Sequence, residues 1–251
     1  MLSRVTYSVF FFAAITFFSL SGKAVAEESL NDAQKKEIES VIQEYILKNP
    51  EVLMRAIQEY QIRQRIAERE QAKKNLVALG PDLRLNKSSP VIGNPDGDVT
   101  IVEFFDYRCG YCKQVFPTIQ ALLKEDGNIR YVLKEYPILG PDSLIASQAS
   151  LAVWDLNPEK YLSFHSALMN ARGQLNDTKI LSIAQKLGID ISALRKGMDG
   201  STVRGELNKN MELAESLGIS GTPAFVIGGN MIPGAASMEE LKKMVSAARK
   251  G

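Results

Sequence analysis

Residues 99–125 read VTIVEFFDYRCGYCKQVFPTIQALLKE, and this stretch decides the fold. Positions 99–107 read as a buried strand, and positions 113–125 as a helix in which Pro117 should introduce a kink. Between them lies Cys109-Gly110-Tyr111-Cys112, which holds the only two cysteines of the chain. A strand that delivers such a pair to a helix N-terminus makes a reactive thiol, because the first-turn N–H groups and the helix dipole stabilise a thiolate. Cys109 is expected as the exposed attacking thiol. Cys112, about one helical turn further in, is expected to resolve a mixed disulfide. A structural zinc site asks for four ligands. The chain offers two Cys and His165, which falls in a different predicted helix; a soft-metal site shared between chains stays open. A purely structural bridge would close too short a loop to constrain the unfolded chain.

Working downstream, 129–136 reads as the next strand. Helical segments follow at about 142–155, 158–170, 178–188, 191–198 and 202–217, with Gly188, Gly200 and Gly218 at helix ends. Residues 222–227 read as a strand, and Gly228-Gly229-Asn230 as a tight turn into Met231-Ile232. Ser237 caps a last helix, with Glu240 completing a capping box. Strand–helix–strand, a helical block, then hairpin and helix is an α/β layout with a helical insertion. His165 and Trp154 sit among apolar neighbours and read as packing residues, and the methionines show no cluster that would mark a copper site.

Working upstream, residues 30–79 lack glycine and carry one proline, Pro50. Ile38, Val41, Ile42, Tyr45 and Ile46 form an apolar helical stripe. Asn49 is expected to cap a second helix that starts at Pro50. Two short amphipathic helices bury their stripes poorly against each other, so they are expected to pack on the main domain or on copies of themselves, with self-association the preferred reading. Gly80-Pro81 should end this arm, and the Pro, Gly, Asn and Asp content of 81–98 predicts a linker. At the N-terminus, Arg4, an apolar run at 9–20 and Ala24-Val25-Ala26 have the order of a cleavable export signal, with Glu27 as first mature residue. The run is short for a bilayer span. An exported chain meets an oxidising space, the periplasm of a Gram-negative bacterium, where disulfides form and shuffle. Loss of Arg4 and Lys23 would take the formal charge from +1 to −1, so nothing suggests a nucleic-acid partner. The expected organisation is signal peptide 1–26, helical arm 27–80, linker 81–98 and an α/β domain 99–251 with its insertion at about 140–218.

The stretch from Ile101 through the cysteine pair, with Gly221-Thr222-Pro223-Ala224-Phe225 downstream, resembles the DsbA family of thioredoxin-fold oxidoreductases. Residues 30–80 are similar to the arm of that family's ScsC-type branch (suppressor of copper sensitivity), whose members include trimeric disulfide isomerases. The resemblance implies a thioredoxin fold with an inserted helical domain and no cofactor beyond the cysteines. It implies roles for Cys109 as nucleophile, Cys112 as resolving thiol, Pro223 as a cis-proline facing the pair, and Thr222 as the residue before it. It also implies that Glu103, costly in an apolar strand unless used or paired, relays protons to Cys112; Arg130 or Lys134 would instead make it structural. The strongly oxidising members carry Pro-His between their cysteines. Gly110-Tyr111 here implies a less depressed Cys109 and a less oxidising pair, which Arg108 would partly offset. The leading function is protein disulfide isomerisation, with cysteine-containing client proteins, a membrane reductase and a homo-oligomer, trimer favoured, as partners. A dithiol oxidase served by a membrane oxidase, and a copper-binding protein holding Cu(I) on thiolates, are the alternatives.

Overall fold

A computed structural model describes residues 30–250. The export signal expected at 1–26 lies outside them. The chain forms two compact units, one closing at Gln58 and the other beginning at Glu59. Among the described residues, no helix is long and apolar enough to cross a membrane.

The first unit holds α1 (Asp32–Lys48) and the start of α2 (Pro50–Ala78). Asn31 opens α1 with a capping box: its side chain accepts from the Gln34 N–H while the Gln34 side chain accepts from the Asn31 N–H. Pro50 does take the first position of α2, but Asn49 does not cap it. Its amide donates back to the Tyr45 carbonyl at 2.8 Å. The last carbonyls of α1 lack intrahelical donors, and the nearest side-chain amide satisfies one of them. No residue of α1 is buried, so the stripe expected from the sequence is bare in the single chain.

The second unit is built on five strands in the order β1 (Val91–Gly93), β3 (Ile129–Glu135), β2 (Val99–Phe105), β4 (Ala224–Ile227), β5 (Asn230–Pro233). Only β2 and β3 run parallel. They are joined through α4 (Gly110–Asp126), which closes at Gly127 in the left-handed region, φ 68°. The helical block is α5 (Pro141–Leu156), α6 (Pro158–Met169), α7 (Asp177–Lys186), α8 (Ile191–Met198) and α9 (Ser201–Ser216). Every expected segment there is present, with ends shifted by two residues at most. The final helix, α10 (Met238–Ala248), starts at the Ser237–Glu240 capping box.

Residues 81–98 depart from the linker expectation. They contain most of α3 (Gly80–Arg84), whose Leu83 is fully buried, and β1, which pairs antiparallel to β3 from Val91↔Val132 to Gly93↔Arg130. The composition is that of a loop, but the β3 edge offers a row of backbone partners that three residues suffice to use. Gly93 allows the approach: it sits at φ 76°, and a Cβ there would lie 2.5 Å from the Ile129 carbonyl oxygen.

Strand alternation sorts the core. Ile101, Phe105, Tyr131 and Leu133 face α4, α10 and the helical block. Val102, Phe104 and Val132 face the end of α2, α3 and α9 through Leu76, Leu83, Leu213 and Leu217. Both faces of β2 and β3 are therefore covered, which explains why positions 99–107 read as continuous apolar sequence.

Candidate active site

The chain leaves β2 at Phe105 and must turn before α4 begins. Asp106 organises that turn and is fully buried. Its Oδ1 accepts from the Arg108 N–H at 2.7 Å and the Ser143 hydroxyl at 2.7 Å. Its Oδ2 accepts from the N–H groups of Ile138 and Leu139 at 2.9 and 3.0 Å. The Cys109 N–H closes the turn on the Asp106 carbonyl at 3.0 Å. Sequence reasoning passed over Asp106. The available signal was an Asp at a strand end two residues before a turn position, where its side chain can imitate a backbone acceptor.

This loop makes Cys109 the N-cap of α4. Its sulfur accepts from the Cys112 N–H at 3.2 Å, where a Ser or Asp oxygen would ordinarily sit. On its other side the Cys109 thiol donates to the Thr222 carbonyl at 3.2 Å, and the Thr222–Pro223 peptide bond is cis. Both cysteines are free thiols. Cys109 is pulled from the ordinary thiol value down to about 6, first by the hydrogen bond from Cys112, with Thr222 and the N–H groups of Cys112 and Tyr111 adding to it. Cys112 is pushed strongly upward by its hydrogen bond to Cys109, then by burial, then by Glu103. The pair is thus split into one thiolate and one held proton, the division that nucleophile and resolving thiol require. Two expectations are corrected. Cys109 is 5% exposed rather than open, because the Thr222 segment lies against it. Arg108 turns away to donate to the Leu139 carbonyl and is not among the groups that lower Cys109.

Glu103 lies on β2 beneath the pair, 3% exposed, its carboxyl raised to about 8 chiefly by burial. Its partner is neither Arg130 nor Lys134. It accepts from the Tyr131 hydroxyl at 2.7 Å. In the parallel register Glu103 pairs with Leu133, so the odd-numbered residues of β3 share its face. Arg130 and Lys134 are on the opposite face, where Lys134 donates to Ser89 at 2.7 Å and lies 3.6 Å from Glu206.

A second buried polar group ties the loop to the insertion. The Tyr107 hydroxyl shares hydrogen bonds with Ser150 at 2.6 Å and with His165 Nδ1 at 2.8 Å. His165 is packed between Phe105, Phe116 and Tyr161, and burial holds it down at about 3, so it is a neutral core residue. Glu135 is likewise raised to about 8 by burial and accepts from the Ser147 hydroxyl at 2.7 Å. Among the described residues, no cluster of three His, Cys, Asp or Glu side chains has the geometry to hold a metal ion.

Two cavities flank the thiols. One of 190 Å³ runs beside Thr222 and Pro223 and is lined by uncharged residues, including Ile219, Ala224, Met231 and Pro233. The other, of 580 Å³, lies between the cysteine loop and the insertion and is lined by Arg108, Lys113, Asp142, Arg172 and Gln174 among others.

Residues 100–246 match the family described as DSBA-like thioredoxin domain, and residues 34–67 match the copper resistance protein ScsC N-terminal domain. A thioredoxin-like oxidoreductase from Silicibacter pomeroyi is 41% identical, with 68% of this chain and 98% of that one covered at a TM-score of 0.66. ScsC of Proteus mirabilis, in a transitional conformation, is 32% identical, covering 88% of this chain and 99% of its own at a TM-score of 0.66. Disulfide bond formation protein D of Bacillus subtilis is 28% identical over 178 residues, 66% of this chain and 79% of that protein. A Na(+)/H(+) antiporter of Salinispora arenicola also matches, and the chain spans 25% of its length.

Proposed function

Because the chain belongs to the DSBA-like thioredoxin family and is a thiol:disulfide oxidoreductase with a thioredoxin-like fold, we propose that it is an exported protein disulfide isomerase that works as a homo-oligomer, trimer favoured, on cysteine-containing clients. The observation that carries this reading is the split pair: Cys109 at the α4 N-terminus, lowered to about 6 chiefly by its hydrogen bond from Cys112, with Cys112 kept protonated behind it.

At neutral pH the Cys109 thiolate attacks one sulfur of a client disulfide. The client S–S bond breaks as the mixed disulfide forms, and the leaving client thiolate takes a proton from solvent. Two exits follow. In isomerisation, another client thiolate attacks the client sulfur of the mixed disulfide, expels the Cys109 thiolate and leaves the enzyme reduced. In reduction, Cys112 gives up its proton, attacks Cys109 Sγ, and the client leaves with both its thiols reduced. The position of Glu103 beneath the pair, raised to about 8 and electrostatically coupled to both cysteines, supports a role in taking that proton through its ionised form, which grows as pH rises toward 8. The oxidised enzyme then needs a thiol reductant at the membrane. Thr222 and Pro223 fit the edge on which an extended client backbone is held.

The bare stripe of α1 lies within the segment similar to the ScsC N-terminal domain, which supports assembly through the arm. Assembled copies would raise the thiol concentration around one misfolded client. Export to the periplasm is supported by the sequence before Glu27.

The test uses reduced protein starting at Glu27 and scrambled ribonuclease, beside the same chain carrying Ile42→Asp. Reactivation by the first, with its loss in the second while both still reduce a small disulfide, is the expected result. If neither reactivates ribonuclease, and both in oxidised form oxidise a reduced substrate, the protein is a dithiol oxidase that works without assembly.

A further inference from the structure

The two flanks of the thiol pair differ in charge. The groove at Pro223 has no charged lining residue. The 580 Å³ cavity on the other flank is lined by three cations and one carboxylate, and its volume is within the usual range of ligand sites. Arg108 and Lys113 bracket the Cys-Gly-Tyr-Cys directly, and Arg172 comes from the connection between α6 and α7.

These cations are oriented but not neutralised. Lys113 Nζ donates to the carbonyls of Ala171 at 2.6 Å and Leu168 at 3.4 Å, and Arg108 donates to the Leu139 carbonyl. Among the described residues, none of the three has a carboxylate within ion-pair distance. Asp142 is the nearest candidate by position, and it accepts from the Gln174 amide at 3.3 Å instead. Lys179 adds to the excess, since its ammonium donates to the Arg172 carbonyl. Burial lowers Lys113, and the positive charge of Lys179 lowers it further, as expected where cations crowd without forming ion pairs. A cleft with a net excess of one sign of charge concentrates ligands of the other sign, and an arginine fork matches a carboxylate in shape.

We propose that this cavity is a specificity subsite that receives carboxylates carried by the disulfide substrate, foremost acidic side chains flanking the client cysteine. The inference rests on the exchange reaction proposed above and adds a substrate class to it. The neutral groove would take the extended backbone, and the cationic cavity would select which cysteines are attacked fastest.

The experiment measures second-order rates of the reduced full mature chain with three disulfides. Two are peptide disulfides differing only in Glu or Gln beside the cysteine, and the third is glutathione disulfide. The Glu peptide is expected to react about fivefold faster than the Gln peptide at low salt, with the ratio falling toward one as salt rises. Arg172→Gln should reduce the ratio, and Arg172→Glu should bring it to one or below. Lys250→Glu, outside the cavity, should leave the ratio unchanged, which separates the local field from net charge. Loss of glutathione disulfide reactivity in Arg172→Glu alongside an unmoved Glu:Gln ratio would assign the site to a small anionic disulfide rather than a client, overturning the client reading. Equal rates for both peptides, with glutathione disulfide indifferent to Arg172→Glu, would overturn the subsite while leaving the exchange reaction standing. No reaction with any of the three disulfides would overturn both.

Discussion

The arm and the catalytic unit invert the usual distribution of residues in opposite ways. On α1 the apolar side chains are outside: Val41 is 61% exposed and Tyr45 56%. In the catalytic unit the ionisable side chains are inside: Lys134 and Glu135 are fully buried, Glu103 and Glu206 nearly so. Each inversion costs free energy, one through wetted hydrocarbon and the other through lost hydration of charge. The first cost disappears when a partner covers the face. The second is offset only by fixed internal partners. The proposed assembly would cover the arm's apolar face, whereas the buried charges of the catalytic unit already have fixed partners: Ser89 and Glu206 for Lys134, Tyr131 for Glu103 and Ser147 for Glu135.

The widest separation between the two regions is kinetic. Cys109→Ala should lower disulfide exchange by on the order of 10³-fold or more, as losing a nucleophile does, and leave the oligomer intact by sedimentation. Ile42→Asp should do the reverse, dispersing the oligomer and sparing reduction of a small disulfide. If Ile42→Asp left sedimentation unchanged, α1 would not be the assembling face.

Stability should separate them next. Lys134→Met strands Glu206 in the core beneath Ser89 and Asn86, which donate to it at 2.5 and 2.6 Å. A loss of about 3–5 kcal/mol in urea denaturation is expected. Removing an arm charge, Lys48→Ala, breaks an exposed pair with Glu44 and should cost about 0.5 kcal/mol or less.

Third is the dependence of stability on pH. Glu103 and Glu135 are raised to about 8 in the folded chain, so between the ordinary carboxylate value and 8 the native state holds protons that the unfolded chain releases. Their contribution is complete below the ordinary value and is lost as pH rises through 8. Neutral, buried His165 acts in the other direction, withdrawing stability as pH falls below its ordinary value. From pH 6.5 to 8 each glutamate should therefore withdraw about 2 kcal/mol. Lowered Cys109 works against the two glutamates over this range, being ionised in the folded chain and protonated in the unfolded one. Glu103→Gln keeps an acceptor for Tyr131 and should remove one glutamate's share of the fall, leaving stability nearly flat from pH 6.5 to 8, while slowing closure of the Cys109–Cys112 disulfide. An unchanged slope would mean that Glu103 is already ionised in the folded protein.

The smallest effect concerns the thiol itself. Alkylation of Cys109 followed against pH should show a midpoint near 6, and Cys112→Ala should move it upward by removing the hydrogen bond that contributes most to lowering it. A midpoint that stayed at 6 in Cys112→Ala would place the stabilisation in the α4 N–H groups and Thr222 alone.

The cysteine pair, the strand before it and the helix after it were legible because each is a local pattern: an apolar run, a Cys-X-X-Cys and a helical stripe. The Ser237–Glu240 cap was legible for the same reason. The partner of Glu103 was not. Their place on the next strand made Arg130 and Lys134 candidates, yet a one-residue difference in register decides which face of β3 meets Glu103, and register depends on how two strands pair across α4. Residues 81–98 were misread because loop composition does not reveal that a β3 edge is waiting to accept Val91.

Sequence alone determined the chemistry and its carrier: two cysteines spaced for one helix turn, the strand that delivers them, the helices that follow, and the apolar stripe of the arm. These are set by side-chain type and short-range spacing. Tertiary structure decided that Thr222 receives the Cys109 thiol across 113 residues, that Tyr131 rather than a cation holds Glu103, and that three cations meet beside the thiols with one carboxylate, Asp142, that pairs with none of them. Such contacts join segments remote along the chain, and only packing the sheet and the insertion together brings them within hydrogen-bonding range.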